Sequence, residues 1–217
     1  MSADLRAFAI ARFMRHDRRV RSVSAAGGPA PAPTVHVHTW TPEQFAERVG
    51  EAMDIYVQAM SYPRHAGGQR AVTARRHVAN PGFACRVALR DDGALVGFGY
   101  GYTTAPGQWW HDLVRRAIPA PLAEGWMANA FELSELHVLP DYQGARVGRR
   151  ILVELADAIP HAAMLLSTPD ADTRAFRLYR TLGFVDLRRH YLFPGDSRPF
   201  AVLGARLPFA TDQSDGG

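Results

Sequence analysis

The chain predicts an α/β fold: a mixed, mostly antiparallel central sheet of about seven strands with helices on both faces. Three observations carry this. Short apolar or alternating runs bounded by turn residues recur from residue 34 onward. From about residue 130, strand-like and helix-like segments alternate. A hydrophobic content of 47% in 217 residues is enough for one sizeable core.

The elements follow in order. Val35-His-Val-His-Thr alternates as a strand, and Thr41-Pro-Glu then opens a helix with a capping residue, Pro at its first position and an early acid. That helix runs to about Met60, where Ser61-Tyr-Pro breaks it. Gly67 to Ala79 reads as a second helix, stopped by Asn80-Pro-Gly. Phe83 to Arg90 and Leu95 to Thr104 flank Asp91-Asp-Gly-Ala as a strand–turn–strand hairpin. Residues 105–129 form a long excursion with Trp109, Trp110 and one helix before a strand at Ala130 to Val138. A helix over 145–159, a strand from Ala162 to Ser167 and a helix over 172–182 come next. A hairpin of 186–193 and 199–206, turned at Pro194-Gly-Asp, ends the pattern, and no internal repeat is visible.

Residues 1–33 stand apart. Met1 to Val23 carries six arginines and suits a basic helix, and Ala25 to Pro33 has linker composition. We expect a basic, disordered extension over 1–33, one domain over 34–208 and a flexible tail over 209–217.

Composition narrows the function classes. The chain contains no lysine, so its 25 cationic side chains are all arginine, and the net charge is +4. That balance is too mild to imply a nucleic-acid partner. Cys85, the single cysteine, excludes an internal disulfide framework and lies in an apolar run, as a buried thiol does. No apolar stretch approaches the roughly 20 residues needed to span a bilayer, and Leu5 to Ile10 is too short for a secretory core. A soluble cytoplasmic protein is the expectation, with a homodimer left open. His36 and His38 share a strand face without a third ligand, so no metal is expected.

Residues 135–150, Glu-Leu-His-Val-Leu-Pro-Asp-Tyr-Gln-Gly-Ala-Arg-Val-Gly-Arg-Arg, carry the most functional information. They read as a strand, a Pro-marked break, a glycine-containing loop and an amphipathic helix. Consecutive amides leading into a helix form a nest for a phosphate or pyrophosphate. Downstream, Asp172-Thr-Arg-Ala-Phe-Arg-Leu-Tyr179-Arg-Thr-Leu-Gly183-Phe184 reads as a helix with a glycine stop.

Together these segments resemble the acetyl-coenzyme A site of the GNAT superfamily of N-acetyltransferases. Leu136, Val138 and Pro140 match the family's strand-end pattern, and Gln143 and Gly148 match the two ends of its phosphate loop. Ala175, Tyr179, Gly183 and Phe184 match its later helix, where Asp172 stands for a frequent Asn as N-cap. Arg146 replaces the family's middle glycine, and a glycine sits two places earlier at Gly144.

The resemblance implies a GNAT-like fold and acetyl transfer from acetyl-CoA to a primary amine of a small molecule or peptide. Gln143, Gly144, Ala145, Arg146, Val147, Gly148 and Arg149 would then hold the pyrophosphate, with Asp172 and Arg174 also on the cofactor. Leu136, His137 and Val138 would pair with the pantetheine arm in the splay between the fourth and fifth strands. Tyr179 matches the acid that protonates the leaving thiolate, or is simply a packed aromatic. Glu132 and Glu135 are candidate bases, with a water chain as the alternative. Three apart on one strand, the two are expected on opposite faces. Trp109, Trp110 and Tyr62 either shape the acceptor pocket or, for the tryptophans, anchor the excursion to the sheet. The alternative on the same fold is a non-catalytic acyl-CoA-binding or regulatory module. Arg146 motivates it, because its Cβ would obstruct the ligand if the loop needs a glycine conformation.

Overall fold

The computed structural model describes residues 34–210, so the basic arm of 1–33 and most of the tail lie outside the described residues. Seven strands of the described residues form one sheet: β1 (Val35–Trp40), β2 (Ala84–Arg90), β3 (Leu95–Thr103), β4 (Ala130–Val138), β5 (Ala163–Pro169), β6 (Val185–Tyr191) and β7 (Phe200–Arg206). Their spatial order is β1-β2-β3-β4-β5-β7-β6. Only β4 and β5 run parallel; every other neighbouring pair is antiparallel.

Among the described residues six helices cover the sheet: α1 (Pro42–Met60), α2 (His65–His77), α3 (Trp109–Ala117), α4 (Ala120–Met127), α5 (Val147–Asp157) and α6 (Arg174–Thr181). The predicted class and strand count hold, and the excursion contains two helices rather than one. Thr41 opens α1 with a reciprocal cap: its Oγ1 accepts from the Gln44 N–H (3.3 Å), and Gln44 Oε1 accepts from the Thr41 N–H (2.9 Å). Ser61 closes α1 in the left-handed region at φ 54°.

Two apolar layers result. On one face Phe45, Val49 and Met53 of α1 pack on Val87, Phe98 and Tyr100. Val114, Ala123 and Met127 of α3 and α4 continue that layer over Leu165 and Val202. On the other face Leu152 and Leu155 of α5 meet Phe131, Leu133, Met164 and Leu203. Strand β3 lets α5 come close through glycine: a Cβ at Gly99 would sit 2.9 Å from Ile151 Cγ2. That close approach sets where α5 begins, and so where the loop before it lies.

Cys85 is fully buried and burial pushes its thiol up, as expected of a structural cysteine. Phe209, which the sequence placed in the tail, is buried against Phe184 with rings 5.6 Å apart, so the packed domain reaches that residue. No described helix is long and apolar enough to cross a membrane.

Candidate active site

The loop between β4 and α5 is built around two positive-φ residues, Gly144 (φ 90°) and Arg146 (φ 59°). Arg146 is the N-cap of α5 in the left-handed conformation, and no side chain caps the helix. The first helical bond runs from the Arg150 N–H to the Arg146 carbonyl (3.0 Å). The amides of Val147 and Gly148 precede it and have no intrahelical acceptor. Arg149 is the third helical residue, and Ala145 is exposed beside Gly144. Arg146 therefore supplies the glycine-type backbone that the loop needs, with its side chain exposed. The turn sets consecutive backbone amides at the positive end of a helix, an arrangement that suits an anion.

Two of the proposed cofactor residues meet across this loop. Gln143 Nε2 donates to the Val138 carbonyl (2.9 Å), and its Oε1 accepts from Arg174 Nη1 (3.0 Å). Gln143, 31 positions before Arg174, thereby ties the end of β4 to the start of α6. Asp172 is not the N-cap of α6. Thr173 is, accepting from the Phe176 N–H at 3.0 Å, while exposed Asp172 pairs with Arg177 at 2.7 Å. The cap thus lies one residue later than expected, because the second of two adjacent cap formers took the role.

Strands β4 and β5 pair only over Ala130–Glu132 and Ala163–Leu165. From Leu133 to Val138, β4 keeps β3 on one side only, while β5 continues along β7 to Pro169. The strands splay, which leaves a strip of β4 backbone beside Leu136, His137 and Val138 facing a gap. The amide nest lies at the end of that strip. Such a strip complements an extended chain that ends in phosphate.

Tyr179 lies on the α6 side, 6% exposed, its ring 5.4 Å from Phe184. The glycine stop beyond it is formed as predicted: Phe184 N–H donates to Tyr179 O and Gly183 N–H to Arg180 O, both 3.1 Å. Burial raises the phenol's pKa, reinforced by the charge of Glu135, so the hydroxyl stays protonated.

The two glutamates share a face, against expectation. Tyr100 pairs with Glu135 and Tyr102 with Glu132, yet Gly101 pairs with Leu133, so Ser134 is an extra residue in β4. This bulge shifts the alternation by one and turns both carboxylates toward α1 and α2. Their environments then diverge. Glu132 is 5% exposed; Tyr102 donates to its Oε1 (3.1 Å), while Oε2 is buried with no partner among the described residues. Burial pushes this carboxyl up to about 8, against weaker opposing effects of Tyr102 and Arg70. Glu135 is ion-paired to Arg70 and accepts from or pairs with His137 Nε2 at 2.6 Å. Burial works against its ionisation, but Arg70 and His137 outweigh it and hold it at about 2.

Around this pair stand side chains that no local motif announced. Arg70 and His77 come from α2, Tyr100 and Tyr102 from β3, and Tyr56 of α1 lies edge-on to His137 with rings 5.1 Å apart. Tyr62 stands edge-on to Tyr56, with rings 5.4 Å apart. Its hydroxyl accepts from Arg198 Nη1 (2.9 Å), and Arg198 is held by Asp196 (2.6 Å) in the β6–β7 loop. Trp110 is packed into the sheet. It is 7% exposed in an apolar cluster, and its Nε1–H donates to Ser167 Oγ (2.7 Å). Trp109 lies against Phe193 with rings 5.7 Å apart. Trp110 thus ties the excursion to the sheet, burying indole area there.

Among known proteins, the model of the GNAT family of acetyltransferases matches residues 49–184. The GCN5-like protein acetyltransferase Rv2170 of Mycobacterium tuberculosis is 36% identical over 196 residues, covering 77% of this chain and 95% of that protein. The ribosomal-protein-S18-alanine N-acetyltransferase from Escherichia coli superposes with a TM-score of 0.56 at 15% identity, over 83% of this chain and 98% of its own. The yncA protein of Salmonella typhimurium, solved with its cofactor acetyl-CoA, gives 0.56 at 13% identity, over 84% and 99%. At such identities the structures establish the fold alone.

Proposed function

The chain belongs to the GNAT acetyltransferase family, and from that premise we propose that it transfers the acetyl group of acetyl-CoA to a primary amine of a small molecule or peptide by direct attack. The observation that carries this reading is Glu132, a buried carboxyl with one unpartnered oxygen, on the strand that borders the splay. Acetyl-CoA, the co-substrate of the family, supplies the acyl group already activated as a thioester.

The chain's own residues divide the remaining work. The nest at residues 143–149 and Arg174 suit the diphosphate, and the β4 edge at Leu136, His137 and Val138 suits the extended arm. The geometry fits: a Cβ at Gly144 would meet nothing within 4 Å, so the turn is open to a ligand. Holding both reactants in one groove supplies much of the rate. Glu132 takes the amine's proton, since a base near pH 8 can deprotonate an ammonium yet still release the proton. Tyr179, kept protonated, donates to the leaving sulfur. Glu135, locked between Arg70 and His137, positions its neighbours rather than accepting protons.

The test is a calorimetric titration with acetyl-CoA, followed by free-thiol release on a panel of spermidine, an aminoglycoside, an alanine-terminated peptide and a lysine peptide. Binding with release on one amine class is the expected result. Binding without release on any of them would instead make the protein a non-catalytic acyl-CoA-binding or regulatory module. No binding at all would remove both readings.

A further inference from the structure

Beyond Glu132 and Leu165 the sheet continues as two halves that share no strand pairing among the described residues. One half is β1 to β4; the other is β5, β7 and β6. Side chains far apart in sequence bridge the gap between them at its open end. His137, on the β4 side, has the Tyr56 ring edge-on to it at 5.1 Å, and Tyr62 stands edge-on to Tyr56 at 5.4 Å. The Tyr62 hydroxyl accepts from Arg198 Nη1 at 2.9 Å, across 136 positions. Arg198 lies just before Phe200, which pairs with Pro169, the last residue of β5. The bridge therefore runs from one half of the sheet to the other.

Resting on the reading that acetyl-CoA and the amine meet in this gap, we infer that Tyr62 and Arg198 are positioning residues whose hydrogen bond sets its width. Each partner is held in place from its own side. Asp196, with its side chain 4% exposed, accepts from Arg198 Nε at 3.0 Å, from Nη2 at 2.6 Å and from the Arg198 backbone N–H at 2.9 Å. That two-point grip fixes the guanidinium plane and leaves Nη1 for Tyr62. The Arg198 cation also lies 5.5 Å from the centre of the Phe200 ring. On the α1 side, left-handed Ser61 ends the helix, and the Tyr62 N–H donates to the Val57 carbonyl at 2.9 Å. The chain turns back there, which brings the Tyr62 ring against Tyr56.

A second bond crosses the gap on the opposite face. Gln143, tied to the end of β4, accepts from Arg174 at the start of α6 at 3.0 Å. The pairing of Ala130–Glu132 with β5 closes the gap at its other end. A gap closed at one end and bonded across on each face is a slot of set width. Tyr62 and Arg198 move no proton; they act through the spacing of the two halves. Slackening that spacing lets amine and thioester settle farther apart and admits a thicker acceptor, so rate and selectivity should fall together.

The experiment uses the full chain, acetyl-CoA, whichever panel amine releases thiol fastest, and a bulkier N-methylated analogue of that amine. Tyr62→Phe keeps the ring on Tyr56 and loses only the bond to Arg198. It should lower kcat about tenfold, leave Kd for acetyl-CoA within about twofold and cut the preference for the parent amine about fivefold. Its thermal melt should stay within a degree or two of wild type. Arg198→Gln should show the same two losses, and Tyr62→Phe added to it should cost nothing further, since the bond is already gone. Wild-type kcat and preference in Tyr62→Phe would overturn the positioning role and leave acetyl transfer intact. Losses that multiply in the double variant, or a lower kcat with the preference unchanged, would equally overturn it. Silence of the wild type on the whole panel would remove the reading beneath, and the positioning role with it.

Discussion

Glu132 and Glu135 project from one face of the sheet although three positions separate them, because Ser134 bulges out of β4 between their partners Tyr102 and Tyr100. One inserted residue thus puts two carboxylates in one compartment, where burial and charge drive them apart. The carboxylate beside Arg70 and His137 stays ionised; the one with only a phenol for a partner holds its proton. Divergent carboxyls in one site are a means of assigning a positioning role to one and proton transfer to the other.

Glu132→Gln should lower turnover by about 10²–10⁴-fold, with acetyl-CoA affinity little changed. In the wild type kcat/KM should rise with pH to a limb near 8, and that limb should vanish in the variant. Stability should move the other way. Between about pH 4.5 and 8 the folded state holds a proton that the unfolded chain has lost, so this group's contribution falls as pH rises. Denaturant melts at pH 6 and 9 should show the variant losing less stability over that interval; equal losses would show Glu132 to be ionised throughout.

Glu135→Gln should behave as a structural lesion. It takes the ion-pair carboxylate away from the buried Arg70 guanidinium, a change that typically costs about 3–5 kcal/mol. Replacing both, as Arg70→Met with Glu135→Leu, should restore much of that. The sign with pH is the reverse of Glu132. Glu135 adds stability above about pH 4.5, and that stability is lost as pH falls toward about 2, since the unfolded chain takes the proton first. Acid melts of wild type and double variant check this, and a double variant as acid-labile as wild type would contradict it.

Tyr179→Phe separates chemistry from packing. The ring contact with Phe184 survives, so the melting temperature should hold to within a degree or two, while kcat falls about tenfold to a hundredfold. Steady-state kinetics beside a thermal melt decide it. Unchanged kcat would leave Tyr179 as a packed aromatic and nothing more.

The parts of this site that were legible in the sequence are those whose signal is local. The turn that leads into α5 and the glycine stop after Tyr179 are written in consecutive residues, and the structure has a turn and a helix end at those places. The shared face of Glu132 and Glu135 was not legible, since a bulge depends on pairing with β3 and leaves no mark in Glu-Leu-Ser-Glu itself. Arg70 and His77 were missed for a related reason. Their partners Glu135 and Ser134 lie 65 and 57 positions away, and α2 has neither a strong apolar face nor a motif. The tryptophans were open to two readings because an indole serves a pocket or a core by the same property. Only the Trp110 bond to Ser167, together with its burial, separates them.

Arg146 bears on whether the nest works through backbone or side chain. Its left-handed φ of 59° costs a non-glycine residue about 1–2 kcal/mol, and glycine would return part of that to chain entropy. Arg146→Gly should therefore leave stability unchanged or raise it by up to about 1 kcal/mol. If amides do the holding, acetyl-CoA affinity in the variant should stay within about threefold, because the N–H and the helix end remain. If the exposed guanidinium is a ligand instead, affinity should drop about tenfold or more and the loss should shrink at high salt. Calorimetry at two ionic strengths distinguishes the cases. The geometry favours the first, since Arg146 already adopts the backbone that glycine would, with its side chain exposed.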